Sequence, residues 1–145
     1  MKLALSESQT MLQDTVNRLF ADEATPQRIR DAEAIGLDQA LWDQLVALGI
    51  VAMRAAPPQD GGMTLMDAAL VAESAGRHVA PVPLVEAIVA TALLHRAAAP
   101  PPLLDAVESG AIATLALRPV ATGERQPVLG GSVARIIVAL DGDDL

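Results

Sequence analysis

The sequence has 145 residues, of which 52% are hydrophobic and 19% are charged, and its formal net charge is −8. This composition excludes a disordered chain and allows one core of ordinary domain size. The negative charge argues against nucleic acid as a partner, because proteins that bind it need clustered lysine and arginine to replace phosphate counterions. The chain has no cysteine and only 1% aromatic residues, so aliphatic side chains must form the core.

The start of the first predicted helix is marked by Ser6 and Gln9, which have the spacing of a capping box before an amphipathic pattern. Thr25 followed by Pro26 is typical of a capped helix with proline in its first turn, and predicts a short second helix that ends near Gly36. The first helix is expected to place its apolar stripe of Leu12, Val16, Leu19 and Phe20 in the core, and the second is expected to be short and polar.

A third helix is predicted after Asp38, which is placed to cap it, and Gly49 is placed to end it. Its predicted apolar face consists of Leu41, Trp42, Leu45 and Leu48. The stretch "RAAPPQDGG" is predicted to be a loop, because it pairs prolines with glycines. Thr64 and Asp67 then form a second capping box, which opens a fourth helix.

The remaining chain changes from helical to β character. A fifth helix is predicted from about Pro83 to Ala98, and a short sixth helix from the prolines at 100–102 to Gly110. "AIATLAL" and "SVARIIVALDGD" are then typical of strands. We expect a mainly α fold, a bundle of about six helices over residues 1–110 followed by the first strands of a β-domain over residues 111–145.

The last five residues, "DGDDL", predict the beginning of a hairpin without its return strand. An unpaired strand rich in isoleucine and valine is prone to aggregate. We therefore expect that the sequence is a fragment, or that another chain completes the sheet. The longest largely apolar run, Ala87 to Leu94, is shorter than the ~20 residues of a membrane-spanning helix. Without a leader pattern either, we expect a cytoplasmic protein that has no membrane partner.

Local motifs for catalysis or metal binding are weak. His78 and His95 lack metal-ligand spacing, and solvated or helix-end histidines are the stronger interpretation. Asp141–Asp144 lacks the full pattern of a calcium loop, so it is interpreted as a turn. Gly61–Gly62 and Gly130–Gly131 lie outside any phosphate-binding motif and are also interpreted as turns. A run of small residues is interpreted as a close helix contact in the core: Ala68, Ala69, Ala72, Ala75 and Gly76.

The fifth helix is apolar nearly all the way round, which is unusual for so acidic a chain. Its small face consists of Pro83, Glu86, Ala87 and Ala90, spaced at i, i+3, i+4 and i+7. Its other positions, Val85, Ile88, Val89 and Ala92, are expected to supply packing. The helix could border an elongated cavity, or it could be an ordinary core helix whose Glu86 is favoured by the helix dipole. The pattern leaves both open.

The order of these segments resembles the N-terminal half of the acyl-CoA dehydrogenase family. "LSESQTMLQDTVNRLFADE" is similar to the family's opening helix. "LWDQLVALGIVAMRAAPPQDGGMTLMDAALVAESAGR" is similar to its helix, "PEEYGG" loop and "EELGR" helix. "GAIATLAL" and "PVLGGSVARIIVALDGD" are similar to the start of its middle β-domain. The resemblance covers nearly the whole chain.

The resemblance implies an oxidoreductase that uses FAD. In this family the flavin takes hydride from the β-carbon of an acyl-CoA thioester while a carboxylate base removes the α-proton. The base lies in a C-terminal helical domain that this sequence does not contain, so no catalytic residue is assigned and we expect the chain to be inactive alone. The implied partners are the acyl-CoA substrate, electron-transfer flavoprotein or a similar acceptor, and other subunits of a homo- or hetero-oligomer.

The resemblance also implies site residues. A gapless match places five residues on the wall of the acyl pocket: Val82, Pro83, Glu86, Ala87 and Ala90. The flavin side matches less well, because "LRPVATGE" stands where the family has "TEPGAGSD". Leu117 has no hydroxyl, and Gly123 stands in the place of a serine. Thr114, Ala116 and Leu117 are still predicted to touch the flavin ring through backbone groups, and no metal site is predicted.

Two functions from different classes follow from this resemblance. The first is an acyl-CoA dehydrogenase of which this chain is the N-terminal part. The second is a subunit of the same ancestry that has lost its flavin and serves as the partner in a heteromeric enzyme, as the altered "TEPGAGSD" segment favours. A third, an unrelated helical interaction module, has only the general support that helical folds host many functions.

Overall fold

The computed structural model describes residues 4–119 and 125–141, which contain six α-helices followed by two short β-strands. The helices are α1 (Glu7–Glu23), α2 (Pro26–Ala32), α3 (Gln39–Ala47), α4 (Leu65–Arg77), α5 (Leu84–Arg96) and α6 (Pro101–Glu108). The strands are β1 (Ala113–Leu115) and β2 (Ile136–Val138). The predicted fold class, a helical bundle that leads into the start of a β-domain, is confirmed.

The predicted N-caps start the first four helices. The backbone N–H of Gln9 donates to the Ser6 hydroxyl at 3.2 Å, and the Gln9 side chain accepts from the Ser6 backbone at 3.0 Å. Thr25 caps α2, and Asp38 caps α3. Thr64 makes the same reciprocal pair with the aspartate three residues later at the start of α4. Each cap satisfies backbone donors that the first helical turn leaves without a partner.

Four helices end in the same hydrogen-bonded turn. In each, the residue after the C-cap is left-handed, and the next N–H donates to a carbonyl five residues earlier, as in a Schellman motif. Glycine holds the left-handed position after α3 and α6, at Gly49 and Gly110. Val79 holds it after α4 with φ 53°, and Ala98 holds it after α5 with φ 50°. Both side chains make this conformation more costly than glycine would.

The N-terminal part of the bundle is organised around the contact between α1 and α4. Helix α1 lies against α4, and two side-chain hydrogen bonds join them, from Ser74 to Asn17 at 2.5 Å and from Gln9 to Asp67 at 3.1 Å. The largest fully buried side chains of this part are Phe20 and Trp42. Both aromatic residues of the chain therefore lie in the core, among aliphatic side chains.

Helix α5 connects the bundle to the sheet. It contacts α4, α6, β1 and β2. The strands pair in parallel, with Ala113 opposite Ile136 and Leu115 opposite Val138. On the bundle side, the indole Nε1 of Trp42 donates a 2.8 Å hydrogen bond to the carbonyl of Gly110, just before β1. The sheet is therefore fixed to the helices at both α3 and α5.

Three details of the sequence prediction are corrected. Leu48 is 56% exposed, because α3 ends at Ala47 and the side chain lies beyond the buried face. The loop before α4 contains a short 3₁₀ turn, Pro58–Asp60. Each predicted strand is paired over three residues only, because β1 and β2 have no other partner strand within residues 4–119 and 125–141. The predicted hairpin after Asp141 lies outside the described residues.

No helix in the described part of the chain combines the length and the apolar character needed to cross a membrane.

Candidate functional site

The first half of α5 carries the residues predicted for the acyl side. Val82 and Glu86 are half-buried, and Pro83, the N-cap residue, is buried. Ala87 and Ala90 are fully enclosed, each with 0% of its surface exposed. Val82, two residues before α5, packs partly buried against the main core cluster, Glu86 is partly exposed in the first turn of α5, and the two alanines lie in the core.

Ala87 and Ala90 belong to different parts of that core. Ala87 packs in the main cluster with the aliphatic residues of the bundle, and Ala90 packs in a smaller cluster with Val107 of α6 and Val138 of β2. Small side chains at these two positions let α5 approach its neighbours closely. The spacing of small residues that could indicate a cavity wall therefore also allows α5 to pack closely against its neighbours.

The opposite face of α5 is open. Val85 is 48% exposed and Val89 is 41% exposed. The expectation that the two valines supply packing is wrong for the described chain, because they line an open surface, whereas Ile88 of the same set is buried in the main cluster. Together the two helices form a surface groove of about 320 Å³, called the α4–α5 groove from here on. Its lining residues are Arg54, Leu65, Ala68, Ala69, Ala72, Val85, Ile88, Val89, Ala92, Leu93 and Arg96.

The residues predicted for the flavin side lie in and after β1. Thr114 is fully buried, and its hydroxyl donates a 2.6 Å hydrogen bond to the carbonyl of Leu129. The backbone N–H of Ala116 donates to the carbonyl of Val138 at 2.8 Å. Leu117 is 75% exposed. The side-chain hydroxyl of Thr114 and the backbone N–H of Ala116 are thus engaged within the chain.

The segment that follows β1 is held by a side chain. Gln126 accepts a hydrogen bond from the backbone N–H of Arg118 at 3.2 Å and donates to its carbonyl at 3.0 Å. Gly123, which stands where the family has a serine, lies outside the described residues. The hydroxyl of Thr114 and the N–H groups of Ala116 and Arg118 are therefore engaged within the chain, and Leu117 offers no side-chain donor, so few donors of this segment remain for a flavin.

A turn around Leu129 and Gly130 brings the two predicted sides together. Leu129 accepts the hydrogen bond from Thr114, and Gly130 packs against Pro83, where an added Cβ atom would lie 2.8 Å from the proline Cβ. Gly130 has φ 66°, which favours glycine. The Gly130–Gly131 pair is a turn, as predicted, but no local sequence pattern indicates its contact with Pro83 at the start of α5.

The two histidines lie at helix ends, as predicted. His78 is the C-cap residue of α4, where its Nδ1 lies 2.9 Å from the Ser74 carbonyl and its ring stacks on Phe20. His95 is in the last turn of α5, with its Nε2 3.2 Å from a carboxylate oxygen of Glu108. Within the ranges that the structure describes, no cluster of three or more histidine, aspartate or glutamate residues could hold a metal ion.

The strongest charge cluster lies away from α5. Arg28 forms a bidentate pair with Asp38 at 2.6 and 2.7 Å and also contacts Glu23. The hydrogen bond from Arg28 holds the pKa of Asp38 below its usual value, against the opposing effect of burial. The cluster joins the end of α1 to α2 and the start of α3, so its role is structural.

Comparisons with known proteins agree with this arrangement. Residues 6–100 match the family model described as acyl-CoA dehydrogenase, N-terminal domain. The chain is 31% identical to acyl-CoA dehydrogenase IpdE2 of Mycolicibacterium smegmatis, over 97% of this chain and 45% of that protein. It is 34% identical to acyl-CoA dehydrogenase IpdE2 of Mycobacterium tuberculosis, over 96% of this chain and 44% of that protein.

The chain thus spans less than half the length of these curated relatives. No solved structure matches it significantly. The family model alone covers well over half of the 145 residues, and the observed bundle followed by a parallel strand pair has the predicted order. The chain belongs to the acyl-CoA dehydrogenase family.

Proposed function

We propose that this chain supplies the N-terminal helical domain and one wall of the acyl pocket in a flavin-dependent dehydrogenase that converts an acyl-CoA thioester to the 2-enoyl-CoA. One observation carries the proposal. The predicted acyl-side helix α5 packs directly against the predicted flavin-side strand β1, and one turn also joins them, where Leu129 accepts a hydrogen bond from Thr114 and Gly130 contacts Pro83. A thioester whose acyl chain followed α5 would have its reacting carbons near the end of β1.

In this proposal the residues of α5 bind and orient the acyl group. Val82 and Glu86 contact it at the accessible edge, and Pro83 sets the position of that edge. Ala87 and Ala90 support the wall from the core side, since both are enclosed. The apolar surface excludes water from the carbons beside the thioester, as proton and hydride removal requires.

The flavin, when bound, accepts the hydride. Because the Thr114 hydroxyl and the Ala116 N–H are engaged within the chain, we propose that the main hydrogen-bond donors to the flavin come from other parts of the enzyme. The same parts would supply the catalytic base, and an electron-transfer flavoprotein or similar acceptor would reoxidise the flavin. Homo- or hetero-oligomerisation is part of this proposal.

Acyl-CoA oxidation tests this function directly. The purified protein that contains this chain is incubated with saturated acyl-CoA thioesters of graded length and with ferrocenium as electron acceptor. We expect formation of 2-enoyl-CoA, with a preference among the acyl groups. Absence of turnover across the series, with a preparation that carries flavin, would contradict the proposal.

A second function, a flavin-less partner subunit in a heteromeric acyl-CoA dehydrogenase, is favoured by one observation. The buried Thr114 hydroxyl binds Leu129, and Leu117 replaces a hydroxyl-bearing residue of the family pattern. In that case the separated subunit carries no yellow chromophore, while the other subunit retains it. A stoichiometric flavin spectrum in the isolated chain rules this second function out.

A further inference from the structure

Helix α5 begins in a different way from the helices before it. Each of α1 to α4 has a capping side chain that binds an N–H group of its first turn, whereas the N-cap residue of α5 is Pro83, whose side chain makes no such bond. Proline also lacks the backbone N–H that Glu86, three residues later, would bind in a capping box. The position at which α5 begins must therefore be determined by contacts with other segments.

Two contacts with distant segments hold the start of α5. The backbone N–H of Asp38 donates a 2.8 Å hydrogen bond to the carbonyl of Pro81, which joins the connection before α5 to the start of α3. Gly130 lies so close to Pro83 that an added Cβ atom would be 2.8 Å from the proline Cβ. Both contacts join residues of this chain, so neither depends on which of its surfaces are covered in an assembly.

The turn that contains Gly130 is attached to β1 at two points. Before the glycine, the Leu129 carbonyl accepts the 2.6 Å hydrogen bond from the buried Thr114 hydroxyl. After the turn, the backbone N–H of Arg135 donates to the carbonyl of Ile112 at 2.9 Å, just before the strand. A displacement of the start of α5 away from β1 must therefore move this turn or break one of its bonds.

We propose that Gly130 is a positioning residue for the dehydrogenation reaction. Through Pro83 it sets the distance between the start of α5, with Val82 and Glu86, and the end of β1. The inference rests on the proposed function, in which the start of α5 orients the acyl group and the reacting carbons lie near the end of β1. Gly130 acts on the reaction through Pro83 alone.

The displacement that a larger residue would cause is small but sufficient to slow a reaction. Ordinary van der Waals contacts of a Cβ atom begin at 3.4 Å, so Gly130→Ala must separate the turn from Pro83 by about 0.6 Å. A misplacement of about 1 Å can reduce a rate about a hundredfold. We expect Gly130→Ala to lower kcat about tenfold. KM should change less than about threefold, because the groups that bind the ligand are all retained.

The matched control for this variant is Gly36→Ala. A left-handed alanine is strained by itself, so the control needs the same strain without the contact. Gly36 has φ 74°, against 66° at Gly130, and a Cβ atom there would meet no atom within 4 Å. Gly36→Ala should therefore lower the free energy of unfolding and leave kcat unchanged.

A second pair of variants changes the attachment of the turn to β1. Thr114→Val keeps the shape of the side chain but removes the donor to the Leu129 carbonyl, and should lower kcat in the same way as Gly130→Ala. Thr114→Ser keeps the hydroxyl and loses a buried methyl group, so it should lose stability and retain most of kcat. If Gly130→Ala does not fold, this pair decides alone.

The measurements use the full-length protein and the acyl-CoA thioester that the wild type oxidises fastest. Rates are expressed per bound flavin, at a temperature at which thermal unfolding shows every variant to be folded. Calorimetry gives the Kd of the corresponding 2-enoyl-CoA, which should change less than about threefold in every variant because no ligand-binding group is removed.

Three results would overturn the inference while leaving the proposed function intact. The first is a wild-type kcat in Gly130→Ala. The second is an equal loss of kcat in Gly36→Ala, which would assign the effect to backbone strain. The third is a loss of kcat in Thr114→Ser as large as in Thr114→Val, which would assign it to packing. A wild-type protein that carries flavin but oxidises no acyl-CoA contradicts the proposed function, and the inference with it.

Discussion

Gly130 and Pro83 are in such close contact that a Cβ atom on the glycine would lie 2.8 Å from the Cβ atom of the proline. Real Cβ atoms do not approach so closely, so either the turn or the start of α5 would have to move. The contact fixes the N-terminal end of α5 relative to the strand pair. It is also the place where the proposed acyl side and flavin side meet.

The first prediction concerns this contact. Gly130→Ala should lower the free energy of unfolding by about 2–4 kcal/mol, because it adds a steric clash to the cost of a left-handed alanine. Urea unfolding measures the change. Pro83→Gly removes the opposing Cβ, so the double variant should lose less stability than the sum of the single variants. If the stability losses of the two single variants add exactly in the double variant, the two residues are not in steric contact.

The second prediction concerns the end of α4. Val79→Gly should raise the free energy of unfolding by about 0.5–1 kcal/mol, since relief of a left-handed β-branched residue exceeds the greater chain entropy of glycine. The valine is 65% exposed, so little packing is lost. Gly49→Ala is the matched control, which should destabilise the same turn after α3. A loss of stability in Val79→Gly would contradict this account.

The third prediction is a pH dependence. The folded-state pKa of Asp38 is lowered, first by its hydrogen bond to Arg28, so its contribution is present above the unfolded pKa of about 3.9 and is lost as pH falls through the folded value. Asp38→Asn keeps a capping side chain but removes the charge. Urea unfolding at pH 7 and pH 3 should therefore show a smaller difference for Asp38→Asn than for the wild type.

The matched control for this pH effect is Asp14→Asn, at an exposed position of α1. The control should retain the wild-type difference between the two pH values. If Asp38→Asn also retains it, the Arg28 cluster does not contribute to acid unfolding.

The helix boundaries could be predicted from the sequence because caps are local. Ser6, Thr25, Asp38 and Thr64 each act on N–H groups two or three residues away. The orientation of α5 could not be predicted in the same way. A helix that is apolar on all sides has no polar face to indicate which residues meet solvent, so Val85 and Val89 were expected to pack although they lie at an open groove.

The strands were harder to predict from the sequence than the orientation of α5, because a strand depends on partners that are distant in sequence. The observed strands are shorter than the predicted ones, because only the residues from the Ala113–Ile136 pair onward through three positions face a partner. The hydrogen bond from Thr114 to Leu129 and the contact of Gly130 with Pro83 join segments that no local pattern connects. The family resemblance therefore predicted the site residues of α5, but only the folded structure shows how they lie relative to β1.

The last prediction compares two substitutions in the proposed acyl wall, one at a partly exposed position and one at a buried position. Val82 lies two residues before α5 and is half-buried against the main core cluster, whereas Ala90 is completely enclosed beside Val107 and Val138. In the full-length protein, Val82→Phe should shorten the preferred acyl chain and lower the melting temperature less than Ala90→Phe does, because Val82 is only partly buried and its larger ring can extend into ligand space. Ala90→Phe should instead lower the free energy of unfolding by about 1–3 kcal/mol or more, because its ring must enter a close-packed cluster. Thermal unfolding and turnover of graded acyl-CoA thioesters measure both effects. If Val82→Phe leaves the chain-length preference unchanged while the enzyme remains active, this edge of α5 does not line the acyl pocket.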